Sequence, residues 1–463
     1  MVLATAALLS GIAASQAPAP PAVTPAFFES HRDRLFARLP PGSIAVFHAA
    51  QAHSGASSDP YRQDSDFWYL TGLDEPNAIA VFVSGAAKES RYVLFVQPRD
   101  FAAEQWTGWR AGVEGAKKDH GAGEAHPVAE FWNRFAALAA PSQSLYYAAG
   151  GDDAFSKKLL EAWNATNANA AAPRPAADAS PVTAALRLVK DEVEKALLRK
   201  ACAISAEAHT AAMRETSAGR HEYDLKAVMV GLCLSRGAAR MAYPPIVASG
   251  RNSVILHHER DDKKLEDGEM IVNDTGCEYG LYASDVTRSY PVSGRFSPAQ
   301  KQIYEIVLAA QKAGFAAVKP GAAFHEVHDG TVRVVVDGLL ALGILSGDRG
   351  EILKTRAYQR FYPHGSSHWI GLDVHDVGSY GNPDGVARLE RYSLSQTKLE
   401  PGMALTVEPG VYIPEGSTKD PKWWNIGVRI EDTVLVTPEG SECLSCGAPR
   451  EIADIEKTMG KKR

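Results

Sequence analysis

Asp274 and Asp285 lie in the segment MIVNDTGCEYGLYASDVTRSY, residues 270–290, which reads as two strands joined at Tyr279-Gly280. With that turn the two aspartates fall directly opposite each other, their Cβ atoms roughly 4.5–5.5 Å apart. Like charges so placed repel, and a shared pair of metal ions roughly 3.5–4 Å apart would relieve them. A solvated face bearing two aspartates is the alternative. Glu408 interrupts the apolar run ALTVEPGVYI and Glu431 the run IGVRIEDTVLV. Burying either carboxylate among Leu405, Val407 and Val411, or among Val428, Ile430 and Val434, is costly unless something neutralises it, whereas on an alternating strand each would face solvent. His364, His368 and His375 fall in PHGSSHWIGLDVHDVG, and each alone suits an ordinary core or surface histidine. Together, two Asp, one or more His and two Glu match an oxygen-rich dinuclear site. So hard a donor set suits manganese, with zinc, cobalt or iron open.

Elements able to position these residues are legible around them. Val193, Leu197, Leu198, Ile204 and Ala208 recur at helical spacing from Asp191, with no proline before Gly219. Ser297-Pro298-Ala299-Gln300 combines an N-cap, a first-turn proline and a capping-box glutamine, opening a helix expected to run to about Val318. Gly219-Arg220-His221-Glu222 and Gly321-Ala322-Ala323-Phe324-His325-Glu326 each sit between helical runs, a faint echo that suits either a duplicated helix-helix-ribbon unit or coincidence. Upstream, residues 27–39 read as a helix and residues 42–47, 78–83 and 91–96 as compact strands of a small mixed α/β domain. The Ala/Asn/Asp/Pro stretch at 164–181 is too poor in large apolar side chains for a core and is taken as the domain boundary.

Composition narrows the function. A chain of 463 residues exceeds the usual single core. The net charge of −6 and the lack of a basic block before Lys461-Lys462-Arg463 give no reason to expect a nucleic-acid partner, leaving a small molecule or peptide as substrate. Five cysteines cannot form a disulfide framework, and Cys443 and Cys446, without a second Cys/His pair, read as unremarkable residues near the chain end. Residues 1–14 carry an apolar run followed by small residues and a Pro/Ala stretch, the pattern of an export signal (periplasmic or extracellular destination), although no Lys or Arg precedes the run. The run is too short for a stable membrane anchor, and a disordered leader on a cytoplasmic protein is the alternative.

The joint pattern resembles the Xaa-Pro aminopeptidase (aminopeptidase P) branch of the pita-bread-fold metallopeptidases. The likeness runs from about Phe27 and includes PYRQDSDFWYLTG at 60–72. After the signal or disordered leader read at 1–25, it implies an α/β (α+β) chain: a small N-terminal creatinase-like mixed α/β domain at 26–175 and a C-terminal pita-bread catalytic domain at 182–460 with a curved antiparallel sheet and flanking helices. It also implies two metal ions, Mn²⁺ first, on Asp274, Asp285, His368, Glu408 and Glu431, with Asp285 and Glu431 bridging. Glu408, His375 and His257 would be catalytic, and His257, His364, His375, Tyr412 and Arg429 would face substrate. The expected activity is removal of the residue preceding a penultimate proline, by attack of a water shared between the metals, in a homo-oligomer (dimer or tetramer). The alternatives are a prolidase acting on Xaa-Pro dipeptides and a non-catalytic binding protein of the same fold. One departure is Asn273-Asp274-Thr275-Gly276, where the family more often has an apolar residue, Asp, Ala and Gly. The changes flank the ligand without replacing it.

Overall fold

The structure is a computed structural model that describes residues 23–52, 61–148, 153–166, 173–381 and 395–460. The expected export signal therefore lies outside the described residues.

Six strands form the N-terminal sheet: β1 (Ser43–His48), β2 (Ile79–Val83), β3 (Tyr92–Val96), β4 (Glu124–Pro127), β5 (Ser144–Tyr147) and β6 (Ala176–Asp178), in the order β4-β3-β2-β1-β5-β6. Ladders β1–β2 and β2–β3 are antiparallel, whereas β3–β4, β1–β5 and β5–β6 are parallel. β2, β3 and the middle of β1 (Ile44 to Phe47) are apolar without alternation because both faces are covered. Ala45 and Phe47 join the core under the Pro25–Arg38 and Ser65–Thr71 helices, while Ile44 and Val46 join the one under the Phe131–Ala139 and Asp153–Thr166 helices. The alanine-rich stretch at 164–181 contributes more than a link. Its exposed Ala176–Asp178 completes the sheet edge, where backbone pairing to β5 suffices and no large side chain is needed.

Two helix pairs frame the second half, Glu192–Glu215 with Glu222–Ser235 and Pro298–Ala317 with His325–Ala341. Asp191 with Glu194, and Ser297 with Gln300, form reciprocal capping boxes at the starts of the two leading helices. Between the pairs lie short antiparallel ladders. β7 (Arg240–Met241), β10 (Cys277–Tyr279) and β11 (Tyr282–Ala283) form one, and β8 (Ile246–Ser249), β9 (Met270–Asp274) and β12 (Thr287–Pro291) a second. β13 (Ala404–Val407), β16 (Asp432–Thr437) and β17 (Gly440–Cys443) form a third, and β14 (Gly410–Ile413) with β15 (Ile426–Arg429) the last.

The turn in the aspartate hairpin sits one residue later than the sequence suggests. Gly280 and Leu281, with φ of 57° and 62°, occupy it, as a two-residue turn with both central residues in the left-handed region requires. Tyr279 pairs with Tyr282, and Asp274 with Thr287 rather than Asp285. The register moves by two residues, an even step that keeps each side chain on its face, so the aspartates remain neighbours on a diagonal. Cys443 and Cys446 also depart from expectation. The turn after β17 brings their Cα atoms 5.6 Å apart and they form a disulfide, while Cys202, Cys233 and Cys277 stay buried and free.

Candidate metal centre and active site

All four carboxylates stand where regular strand pairing breaks. Asp274 closes β9, and Asp285 lies two residues before β12. Glu408 falls between β13 and β14, and Glu431 between β15 and β16. Because β13 pairs with β16 while β14 pairs with β15, the chain changes ladders at both glutamates. That explains why each interrupts an apolar run: the flanking residues enter cores while the carboxylate turns into the gap. A cavity of ≈ 350 Å³ opens there, lined among others by Asp274, Asp285, Glu408, Glu431, His257, His364, His368, His375 and Arg429.

The backbone fixes His368. Its N–H donates to Thr406 Oγ1 (3.1 Å), and its carbonyl accepts from Thr406 N–H (2.9 Å). Burial pushes its imidazole down to about 4, so the ring is neutral. With Nδ1 donating to the Trp369 carbonyl at 3.0 Å, Nε2 turns its lone pair towards Asp285 Oδ2 (3.4 Å) and Glu408 Oε1 (3.5 Å).

Among the described residues, the rest of the site holds one cation, Arg429, and an excess of negative charge. Burial first, then their carboxylate neighbours, pushes Asp285, Glu408 and Glu431 well above the usual carboxylate range. Tyr243 places one hydroxyl proton between Asp274 Oδ1 (2.7 Å) and Asp285 Oδ1 (2.6 Å). Arg429 is buried, and all three of its nitrogens are engaged, by Asp274 Oδ2, by Tyr412 Oη at 2.8 Å and by Thr287 Oγ1 at 3.2 Å. Tyr412 thus stands behind Arg429 and His364 instead of on the cavity wall. Glu431 accepts from Thr287 Oγ1 at 2.7 Å on one oxygen, while its other, Oε1, is buried with no hydrogen-bond partner among the described residues.

The donor set fits a pair of divalent cations. Asp285, His368 and Glu431 offer ligand atoms within 4.8 Å of one another, a neutral imidazole lone pair points at carboxylates, and an orphaned buried oxygen faces the same space. Lone pairs arranged this way repel unless protons or metal cations lie between them.

His364 belongs to a directed chain of hydrogen bonds. Burial, then the charge of Arg429, pushes it down to about 3 and leaves it neutral. Nδ1–H donates to the Gly365 carbonyl (2.7 Å), Nε2 accepts from Tyr412 O–H (2.9 Å), and the Tyr412 oxygen accepts from Arg429. Both ring nitrogens are occupied, so the ring offers the cavity an apolar face. His257 and His375 are exposed at the rim, and the His375 ring lies 4.3 Å from that of His368.

The sequence reading missed Tyr243, Thr287 and Arg288. Arg288 is fully buried, donates to the Glu431 carbonyl at 2.6 Å and pairs with Asp432 at 2.7 Å, holding the backbone that carries Glu431. Nothing local marks Tyr243 in MAYPPIV. Arg288, a charged residue inside a strand-like run, bears the same signature that exposed Glu408 and Glu431.

An acidic, imidazole-bearing cavity at the strand breaks of an antiparallel sheet, framed by two helix pairs, is the architecture of a pita-bread metallopeptidase. Residues 196–438 match the model of metallopeptidase family M24, and residues 28–146 that of the aminopeptidase P N-terminal domain. The chain is 38% identical over 437 residues to an Xaa-Pro aminopeptidase of Haemophilus influenzae, covering 93% of this chain and 96% of that protein. It is also 38% identical over 438 residues to one of Escherichia coli, covering 93% and 97%. Among solved structures, an aminopeptidase of Pseudomonas aeruginosa superposes with a TM-score of 0.88 at 41% identity, covering 94% of this chain and 98% of that one. The E. coli aminopeptidase P with the inhibitor Pro-Leu does so with 0.88 at 37%, with the same coverage. The chain belongs to metallopeptidase family M24 and carries the aminopeptidase P N-terminal domain ahead of the catalytic one.

Proposed function

We propose that the chain is an Xaa-Pro aminopeptidase, a metal-dependent hydrolase that releases the N-terminal residue of peptides with proline second. The observation that carries this is the convergence of Asp274, Asp285, His368, Glu408 and Glu431 on one cavity, with more carboxylates than the single Arg429 can balance. Asp274, Asp285, His368, Glu408 and Glu431 would hold the two ions. Manganese suits four carboxylates and one imidazole, although one solved structure of the E. coli relative is Zn-substituted and in complex with product. With cations bound, the site gains Lewis acidity towards the scissile carbonyl and an attacking water.

The residues of the chain do the rest. Glu408, which lines the cavity beside His368, takes a proton from the attacking water and delivers it to the leaving nitrogen. That nitrogen belongs to proline, lacks an N–H in the substrate, and leaves as a secondary amine only once protonated. His375 and His257 donate from the rim to the oxygen that gains charge in the tetrahedral transition state. The neutral face of His364, fixed by the Arg429–Tyr412 chain, packs on the proline ring, which must be recognised by shape.

A prolidase would need a cation to capture the free proline carboxylate. Arg429 is the candidate, and its three nitrogens are all committed inside the protein. The E. coli relative binds Pro-Leu, a proline with a residue beyond it. The test is kcat/KM for an Xaa-Pro-Xaa tripeptide and the matching Xaa-Pro dipeptide, on metal-depleted protein before and after Mn²⁺ addition. The expectation is activity only after addition, with the tripeptide favoured at least about tenfold, roughly 1.4 kcal/mol of transition-state stabilisation. The reverse ranking would make the protein a prolidase.

A further inference from the structure

The N-terminal segment PYRQDSDFWYLTG takes no part in the chemistry above, yet three of its polar residues, Arg62, Ser65 and Asp66, are directed at one loop of the second half, Arg62 also donating from Nε to Glu278 at 2.8 Å. Arg62 donates to the Leu372 carbonyl at 2.6 Å and lies 3.1 Å from Asp373. Ser65 Oγ donates to Asp373 Oδ1 at 2.8 Å. Asp66 accepts from Arg187 at 2.7 Å and from Thr183 Oγ1 at 2.6 Å. Arg187, buried in the Ser180–Leu188 helix, turns its other terminal nitrogen to Asp373 (2.7 Å) and Asp376, and Lys190 reaches Asp376 at 3.2 Å.

Arg62 and Ser65 reach residues 372–376 directly and Asp66 reaches them through Arg187, and that stretch carries His375. The same loop is closed upon itself: Asp376 N–H donates to the Trp369 carbonyl at 2.9 Å and Gly371 N–H to that of Asp373 at 3.1 Å. A Cβ on Gly371 would stand 2.1 Å from Asp376 Oδ2, so the loop and its carboxylates are built around each other.

We propose that Arg62, Ser65 and Asp66, acting partly through Arg187, are positioning residues for His375, so that the N-terminal domain sets the placement of the oxyanion donor in the C-terminal cavity. The inference rests on the aminopeptidase reading and on the role it gives His375. Residues 372–375 have no regular secondary structure, and the clamp supplies the order that a strand or helix would otherwise give. A displacement of about 1 Å at such a donor costs on the order of a hundredfold in rate, so a clamp of this kind is worth its residues in turnover even where it adds little to folding.

The test uses Arg62→Gln and Asp66→Asn in the full chain loaded with Mn²⁺, each alone and combined with His375→Ala. Both residues lie at the edge of the cluster, and neither substitution removes the Arg187–Asp376 pair, so folding is expected to survive. Each single change should lower kcat for an Xaa-Pro-Xaa tripeptide about tenfold, leave KM within about twofold and leave metal content unchanged. In the His375→Ala background the same changes should cost less than about twofold, because the residue they position is gone. Amide exchange over residues 370–377 should quicken in both variants while β1 to β3 keep their protection. Equal losses in the two backgrounds, unchanged turnover in the single variants, or unaltered exchange in the loop would each overturn the inference. A wild-type protein unable to cleave the tripeptide, or a His375→Ala variant with full turnover, would instead strike the functional reading on which it rests.

Discussion

At the domain junction Asp66, Asp373 and Asp376 surround Arg187, with Lys190 and Arg62 beside them, whereas in the cavity Asp285, Glu408 and Glu431 face one another and the nearby Arg429 is spent on Asp274. Both clusters are acidic, and both are buried at their centres, at Arg187 and Asp376 in one and at Asp285 and Glu431 in the other, although Asp373 stays partly exposed. Burial raises the Asp373 carboxyl, but Arg187 and Arg62 outweigh it and hold the group below its usual range. In the cavity burial and neighbouring carboxylates act in the same direction, and Asp285, Glu408 and Glu431 all lie well above theirs. A buried acidic cluster that contains its own counter-charges is a structural ion-pair network. One that lacks them is a site waiting for a cation.

The largest expected effect tests that distinction in the cavity. Asp285→Asn should lower peptidase activity by on the order of 10³ or more and reduce bound metal below two per chain, because a neutral amide cannot offset the repulsion between two dications. Near-normal turnover with full metal content, measured by elemental analysis, would break the assignment. At the junction the sensitive residue is the cation. Arg187→Met should destabilise the protein by about 2–4 kcal/mol in denaturant unfolding, since it removes the guanidinium shared by three carboxylates and leaves Asp376 with Lys190, Asp373 with Arg62 and Asp66 with Thr183.

A third experiment turns the comparison around by removing the metal. In the metal-free protein the folded Glu431 carboxyl lies above its ordinary value of 4.5. It therefore holds a proton that the unfolded chain releases. Its stability contribution is complete below pH 4.5 and is lost as pH rises towards the folded value, so metal-free protein should lose stability from about pH 4.5 towards neutrality. Glu431→Gln should flatten that slope and make the metal-free protein more stable at neutral pH, by about 1–3 kcal/mol. With Mn²⁺ added the order should reverse, because only the wild type gains binding energy. Thermal melts of both proteins across that pH range, with and without the ion, would check all three statements.

The smallest effect belongs to the balanced cluster. Thr183→Ala removes one hydroxyl donor from Asp66, which keeps its bond to Arg187, and should cost about 1 kcal/mol without a change in metal content. A much larger loss would mean that the junction is less well compensated than its geometry implies.

Much of the fold was legible in the sequence because the signals were local. Helical periodicity from Asp191 and the Ser297-Pro298-Ala299-Gln300 box are complete within a few turns of chain, and both helices form with the capping those residues encode. The ligand candidates were legible for a different reason. A carboxylate inside an apolar run is expensive wherever the chain goes, so Glu408 and Glu431 advertised a compensating partner before any partner was known. The hairpin register was less secure, since Tyr279-Gly280 and Gly280-Leu281 are both acceptable turns locally and the choice between them rests on pairing with β7 and β8. The site survived the error because two registers differing by two residues present the same face.

What tertiary structure alone decided is how charge is balanced and what holds the loops. Residue types told of acids in apolar surroundings, but whether a given acid meets a guanidinium or another acid depends on side chains distant in sequence. Arg187 meets Asp373 and Asp376 across more than 180 residues, and Arg62 meets Leu372 across more than 300. The disulfide between Cys443 and Cys446 is the short-range version of the same lesson, because spacing permitted a pair and only the path of the turn brought the sulfur atoms together. Chain connectivity fixes which residues are near in sequence, while electrostatic energy depends on separation and burial in space. The sequence could therefore name the metal-binding candidates, but only the fold could tell them from the equally acidic clamp that holds His375.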